Sequence, residues 1–112
     1  MKLWIDDVRP APEGYLWCKT VNCAKTVIQG FGGRANKLRE KGYTGELLHD
    51  IELIDIDHDA GDYACNGGDY IKLLDWLEET GRNYPIRIHS MNPVGVANMR
   101  AIIERNGWTE VR

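Results

Sequence analysis

The chain has 112 residues, of which 43% are hydrophobic and 28% are charged, and its formal net charge at pH 7 is −3. This length and composition are typical of one soluble globular domain and exclude a disordered tail or a chain with two full cores. The negative net charge gives no overall electrostatic reason for nucleic-acid binding, and no run of about 18 apolar residues predicts a membrane span.

Short apolar runs alternate along the chain with longer stretches in which apolar residues recur every three or four positions. The short runs predict strands and the longer stretches predict helices, with Thr20 as the N-cap of the first helix. In chain order we predict a strand at 2–6, a strand at 15–19, a helix at 21–29, a short basic helix at 34–41, a strand at 52–57, a helix at 69–80, a strand at 84–90, a helix from Pro93 that stops at Gly107, and a strand at 108–111.

This order of elements predicts an α/β domain over residues 1–112 with a mainly parallel five-stranded sheet and helices on both faces. Between the first two strands, Pro10 and Pro12 remove backbone donors and disfavour helical conformation, so residues 7–14 are predicted to be a loop. The carboxyl ends of parallel strands meet at one edge of the sheet, and ligands of such folds bind there.

Polar side chains follow three of these strands. They are Asp6, Asp7 and Arg9 after the first strand, Asp57, His58 and Asp59 after the third, and His89, Ser90 and Asn92 after the fourth. Converging carboxylates repel one another unless a cation bridges them, and Mg²⁺ or Mn²⁺ suits such oxygen ligands. Seven acidic residues lie between positions 50 and 69, and the sequence leaves open which of them face the site.

The two histidines in this set, His58 and His89, end strands that we expect to be neighbours. Two histidines can serve as base and acid in phosphoester hydrolysis, although a histidine beside a strand is often only a hydrogen-bonded structural residue. His89 directly precedes Ser90 in the predicted strand, so the two side chains can point to opposite faces.

The three cysteines and the predicted basic helix each have a structural interpretation and a functional alternative. Cys18, Cys23 and Cys65 lack the spacing of a disulfide framework, so we expect reduced thiols in a cytoplasmic protein, with a zinc site that also uses His58 as the weak alternative. The basic helix at 34–41 is expected to be a solvated surface, with a phosphate or RNA contact as the alternative.

Three segments together resemble a known family. Trp4-Ile-Asp-Asp-Val-Arg-Pro10, Asp57-His-Asp-Ala-Gly61 and His89-Ser-Met-Asn-Pro-Val-Gly95 are similar to the signatures of the cyclic-phosphate-processing receiver domains, a divergent branch of the receiver (flavodoxin-like) fold. The resemblance covers most of the chain, and residues 30–50, which it does not match, are interpreted as an insertion.

The resemblance implies roles for individual residues. Asp6 and Asp7 match the acidic metal-binding pair of receivers, Asp57 matches the phosphoacceptor aspartate, and Ser90 matches the hydroxyl residue after the fourth strand. Two features depart from the receiver pattern: a loop replaces the first receiver helix, and the last strand lacks the lysine that contacts the phosphoryl group.

The resemblance therefore implies a domain that binds and processes cyclic phosphates, such as 2′,3′-cyclic phosphate ends of RNA or nucleotides, with Mg²⁺ or Mn²⁺. The alternatives are a phosphoacceptor receiver in signalling and a non-catalytic anion-binding module. The candidate residues are Asp6, Asp7, Asp57 and Asp59 for the metal, Arg9, Ser90 and Asn92 for the substrate, and His58, His89 and Asp57 for catalysis.

Overall fold

The computed structural model describes residues 1–29 and 51–112. In this part of the chain the sheet has four parallel strands in the order β2-β1-β3-β4. The strands are β1 (Lys2–Ile5), β2 (Tyr15–Cys18), β3 (Leu53–Ile56) and β4 (Ile86–Ile88). β1 lies in the interior of the sheet between β2 and β3, so the acidic residues that follow it lie in the middle of the carboxyl edge.

Within residues 1–29 and 51–112, three α-helices and a short 3₁₀ helix accompany the sheet. They are α1 (residues 21–29), the 3₁₀ helix (Gly61–Cys65), α2 (Ile71–Glu79) and α3 (Pro93–Asn106). The predicted N-cap of α1 is present, because Thr20 Oγ1 accepts a hydrogen bond of 2.9 Å from the Cys23 amide. The left-handed Gly107 (φ 66°) ends α3, as only glycine does at little cost.

The main core lies between one face of the sheet and the helices. Side chains alternate along each strand, and the fully buried apolar ones on that face are Leu3, Ile5, Cys18, Ile54, Ile56 and Ile86. They form one cluster with helix residues that include Val21, Ala24, Ile28, Leu73, Leu74, Leu77, Met99, Ile102 and Ile103. The described helices therefore pack on one face, whereas the sequence predicted helices on both.

The opposite face has a different character. It carries the half-buried aromatic residues Trp4, Tyr15 and Trp17, together with the buried carboxylate of Asp55 and the exposed Arg87. The connection between β1 and β2 folds onto this face, since Trp4 Nε1 donates to the carbonyl oxygen of Arg9 at 2.9 Å. That connection contains bends and a turn but no helix.

The predicted fifth strand is present only as a single bridge. Glu110 pairs in parallel with Ile86, and the Ile86 amide donates to the Thr109 carbonyl oxygen at 3.0 Å. β4 itself is only three residues long, and Pro85, which directly precedes it, has no N–H to donate to a ladder. A longer fifth strand would need a longer β4 as its hydrogen-bonding partner.

The predicted basic helix at 34–41 and the whole segment at 30–50, interpreted as an insertion, lie outside the described residues. Within the described ranges, no helix is long and apolar enough to cross a membrane.

Candidate active site

Three carboxylates meet at the carboxyl edge of the sheet. Asp6 and Asp7 directly follow β1, Asp57 directly follows β3, and one oxygen from each lies within 4.8 Å of the other two. Among residues 1–29 and 51–112, these are the only three acidic, histidine or cysteine side chains grouped closely enough to hold a metal ion. We refer to Asp6, Asp7 and Asp57 as the acidic cluster.

Asp6 is the most firmly held member of the acidic cluster. Its side chain is fully buried, and Oδ1 accepts hydrogen bonds of 3.0 Å from the amides of Val8 and Arg9. Its Oδ2 lies 2.9 Å from Nε2 of His89. Burial would raise the pKa of Asp6, but these hydrogen bonds favour the charged form and together lower it.

Asp7 has the opposite electrostatic environment. Burial, and then the neighbouring charges of Asp6 and Asp57, raise its pKa above the ordinary value. Space beside it is also restricted, since a β-carbon at Gly61 would lie 2.6 Å from Asp7 Oδ2. A carboxylate that is crowded by two others is the arrangement that a bound divalent cation relieves.

These opposite shifts give opposite expectations for metal-free protein. Asp7 has a raised pKa, so its contribution to stability is complete at acidic pH and is lost as pH rises through that pKa. Asp7→Asn should therefore raise the free energy of unfolding near neutral pH by up to about 1 kcal/mol. Asp6 has a lowered pKa and stabilises above the ordinary carboxyl range, so Asp6→Asn should cost about 1–3 kcal/mol.

Urea unfolding with a chelator, from about pH 4 to pH 7, measures both effects. The gain from Asp7→Asn should shrink as pH falls through the raised pKa of Asp7, because the wild-type carboxyl group then becomes neutral. If both substitutions changed the free energy of unfolding in the same direction near pH 7, this account of the cluster would be contradicted.

A second pair of groups lies beside the acidic cluster. Asp57 Oδ1 accepts a hydrogen bond of 2.7 Å from the His58 amide, and Nδ1 of the His58 ring lies 2.8 Å from Oδ1 of the exposed Asp59. Asp59, predicted as a metal ligand, thus contacts the histidine in this structure. A carboxylate at Nδ1 favours the tautomer whose Nε2 accepts a proton.

Gly95 makes room for the His58 ring. It is buried in the first turn of α3, and a β-carbon there would overlap the ring atoms of His58. The start of α3 is also fixed by Asn92, whose Oδ1 accepts from the Gly95 amide at 3.0 Å. The position of His58 therefore depends on a glycine 37 positions later in the chain.

His89 lies beneath the acidic cluster and not beside His58. Its ring lies between two fully buried carboxylates, with Nδ1 2.6 Å from Asp55 Oδ1 and Nε2 2.9 Å from Asp6 Oδ2. The ring also stacks on Trp4 at 3.9 Å with an interplanar angle of 5°. Both nitrogens are thus engaged, and the side chain is only 10% exposed.

The three predicted substrate-binding residues differ in how many of their hydrogen-bonding groups are already used within the protein. Ser90 Oγ accepts a hydrogen bond of 3.1 Å from the Asn92 amide, which leaves its hydroxyl proton available for a ligand. Asn92 uses its side chain to cap α3 and to contact Asp59 at 3.4 Å. The exposed Arg9 donates from Nη1 to the His89 carbonyl oxygen at 3.1 Å and has further N–H groups.

The structure adds site residues that the sequence interpretation did not single out. Asp55 supports His89 from within β3, Trp4 covers it, and Gly61 and Gly95 leave space for Asp7 and His58. The sequence did contain an indication for Asp55, because it is the one acidic residue in the otherwise apolar strand Leu53–Ile56. The weak zinc alternative gains no support, since its residues are not grouped.

A comparison with models of known protein families identifies the family of the chain. The family model described as "Cyclic-phosphate processing Receiver domain" matches residues 1–105. The chain belongs to this family. No curated protein and no solved structure matched the chain significantly. For this cyclic-phosphate processing receiver domain, the match spans both the acidic cluster and the His58–Asp59 pair.

Proposed function

We propose that this receiver domain binds 2′,3′-cyclic phosphates of nucleotides or RNA ends and hydrolyses them with Mg²⁺ or Mn²⁺. The observation that carries the proposal is the placement of the His58–Asp59 pair directly beside the acidic cluster, linked through the hydrogen bond from the His58 amide to Asp57. A site that only bound anions would gain nothing from three converging carboxylates.

The residues present fit a divalent cation. The acidic cluster offers oxygen ligands only, which suits Mg²⁺ and Mn²⁺. Asp6 accepts from two amides and contacts one ring nitrogen, so about one of its roughly four lone-pair sites remains for a cation. A bound cation would neutralise the cluster and polarise a phosphoryl oxygen.

The other roles belong to the protein's own side chains. The Ser90 hydroxyl and free N–H groups of Arg9 would hold phosphate oxygens, whose charge the acidic cluster alone would repel. His58, with Asp59 at Nδ1, would accept a proton from the attacking water through Nε2 and return it to the leaving sugar oxygen.

For His89 we propose a supporting role. Its two ring nitrogens contact Asp6 and Asp55, so it lacks the free nitrogen that a proton carrier to substrate needs. It holds the Asp6 carboxylate in place, as partners behind a metal ligand commonly do. Asn92, similarly, would hold Asp59 and the start of α3.

A screen of purified protein against nucleoside 2′,3′-cyclic phosphates, with Mg²⁺, Mn²⁺ or a chelator, tests the proposal. We expect metal-dependent ring opening and a metal-induced rise in melting temperature, both strongly reduced in Asp57→Asn. Asp62→Asn, at an exposed acid outside the cluster, is the matched control.

Three results would count against parts of this scheme. Absence of a melting shift at millimolar metal would remove the metal site. Binding without turnover would reduce the protein to an anion-binding module. Turnover that survives in Asp57→Asn would place the chemistry elsewhere.

A further inference from the structure

A cavity of about 300 Å³ lies at the carboxyl end of β2. Among the described residues it is lined by Trp17, Lys19, Thr20 and Cys23. This volume is at the lower end of the range for small-molecule sites. None of these four residues has a role in the proposed chemistry.

One wall of the cavity contacts the backbone of Asp6, whose side chain belongs to the acidic cluster. Trp17 Nε1 donates to the backbone carbonyl oxygen of Asp6 at 2.8 Å, and so one wall of the cavity is fixed to a proposed metal ligand. On the other side, the carbonyl oxygen of Lys19 accepts a hydrogen bond of 2.7 Å from the buried Tyr70 hydroxyl. A ligand with its phosphate at the cluster could extend into this cavity.

Lys19 gives the cavity its chemical character. Its ammonium lies 4.5 Å from the centre of the Trp17 ring and 5.9 Å from that of Tyr63. Within the described part of the chain, it forms no ion pair with a carboxylate. An exposed lysine held only against aromatic rings keeps its N–H donors free for a ligand.

A flat ligand with acceptor atoms at its edge matches this surface. We propose that the cavity is the nucleobase subsite of the candidate site, in which a base stacks on Trp17 and accepts a hydrogen bond from Lys19. The phosphate position of such a nucleotide rests on the proposed function. Stacking on tryptophan is generally stronger than an exposed lysine–aromatic contact, so a base can displace the lysine from the ring.

The test compares adenosine 3′-monophosphate, ribose 5-phosphate and free adenosine as probes, with binding followed through the Trp17 indole N–H signal. The nucleotide should bind at least about 10-fold more tightly than ribose 5-phosphate, as expected for one stacked base. Cys23→Leu, which narrows the cavity, and Lys19→Gln should reduce that preference several-fold. Neither change touches the contact between Trp17 and Asp6.

The chain offers matched controls for both variants. Lys25→Gln removes a lysine that lies over another indole, that of Trp76, and Cys65→Leu changes another exposed cysteine. Both controls should keep the preference. Equal affinity for nucleotide and ribose phosphate would overturn the subsite and leave the proposed function standing.

The remaining outcomes are also decisive. A base preference that Lys19→Gln and Cys23→Leu leave unchanged would place the base elsewhere and overturn the proposal. Adenosine binding that these variants weaken, in a protein that neither binds metal nor opens cyclic phosphates, would support the subsite while the proposed function fails.

Discussion

The His89→Ala variant should unfold with a free energy about 3–5 kcal/mol lower than that of the wild-type protein, which is the usual cost of breaking a buried charge-paired network. The physical reason is that Asp6 and Asp55 are both fully buried and share this one ring as a partner. Removing it leaves two buried carboxylates without the ring that bridges them, so that Asp6 keeps only its hydrogen bonds from the Val8 and Arg9 amides and Asp55 keeps only the 3.5 Å contact with Arg87. The loss of the stacked ring on Trp4 adds to the cost.

The neighbouring Arg87 provides the matched control. Its Nη1 lies 3.5 Å from the same Asp55 carboxylate, but its side chain is 51% exposed, so Arg87→Ala should cost no more than about 1 kcal/mol. Replacing Asp55 by Ala in the His89→Ala background should recover part of the loss, since it removes one unpaired charge. Urea unfolding measures all four proteins. Equal losses in His89→Ala and Arg87→Ala would contradict the buried network.

If the domain hydrolyses cyclic phosphates, His58→Ala should lower turnover about 100-fold or more, within the range that general acid–base groups contribute. The ring carries an orienting carboxylate at Nδ1, whereas Nε2 has no hydrogen-bond partner among the described residues. Binding of a non-hydrolysable cyclic-phosphate analogue should change little, because the proposed phosphate contacts come from Ser90 and Arg9. Steady-state kinetics with a parallel binding assay separates the two effects.

Two further variants test the position of the ring. Asp59→Asn should reduce turnover less than His58→Ala does, since it only weakens the preferred tautomer. Gly95→Ala should also reduce turnover, although alanine is favoured over glycine in a helix by about 1 kcal/mol, because its methyl group would displace the His58 ring. Val96→Ala, at the next position of α3, should leave turnover unchanged. Full activity of His58→Ala in a folded protein would exclude the proposed role.

Much of the fold could be predicted from local sequence patterns. The four strands, the three described helices, the Thr20 cap, and the proline and glycine at the ends of α3 lie where these patterns place them, to within a few residues. The acidic cluster also follows from sequence, because parallel strands bring the residues after β1 and β3 to one edge. The three motifs further indicated the family, which the match over residues 1–105 confirms.

Long-range packing decided what the sequence left open. Which of the seven acids near the third strand face the cluster depends on side-chain directions, and the structure selects Asp57, pairs Asp59 with His58, and buries Asp55 beneath His89. Side-chain directions also explain why one histidine lies beside the cluster and the other beneath it, since each ring is held by the carboxylates that it contacts. The position of the His89 ring is set by its contacts with Asp55 and Asp6, which precede it in the chain by 34 and 83 positions. No local sequence pattern encodes contacts over such separations.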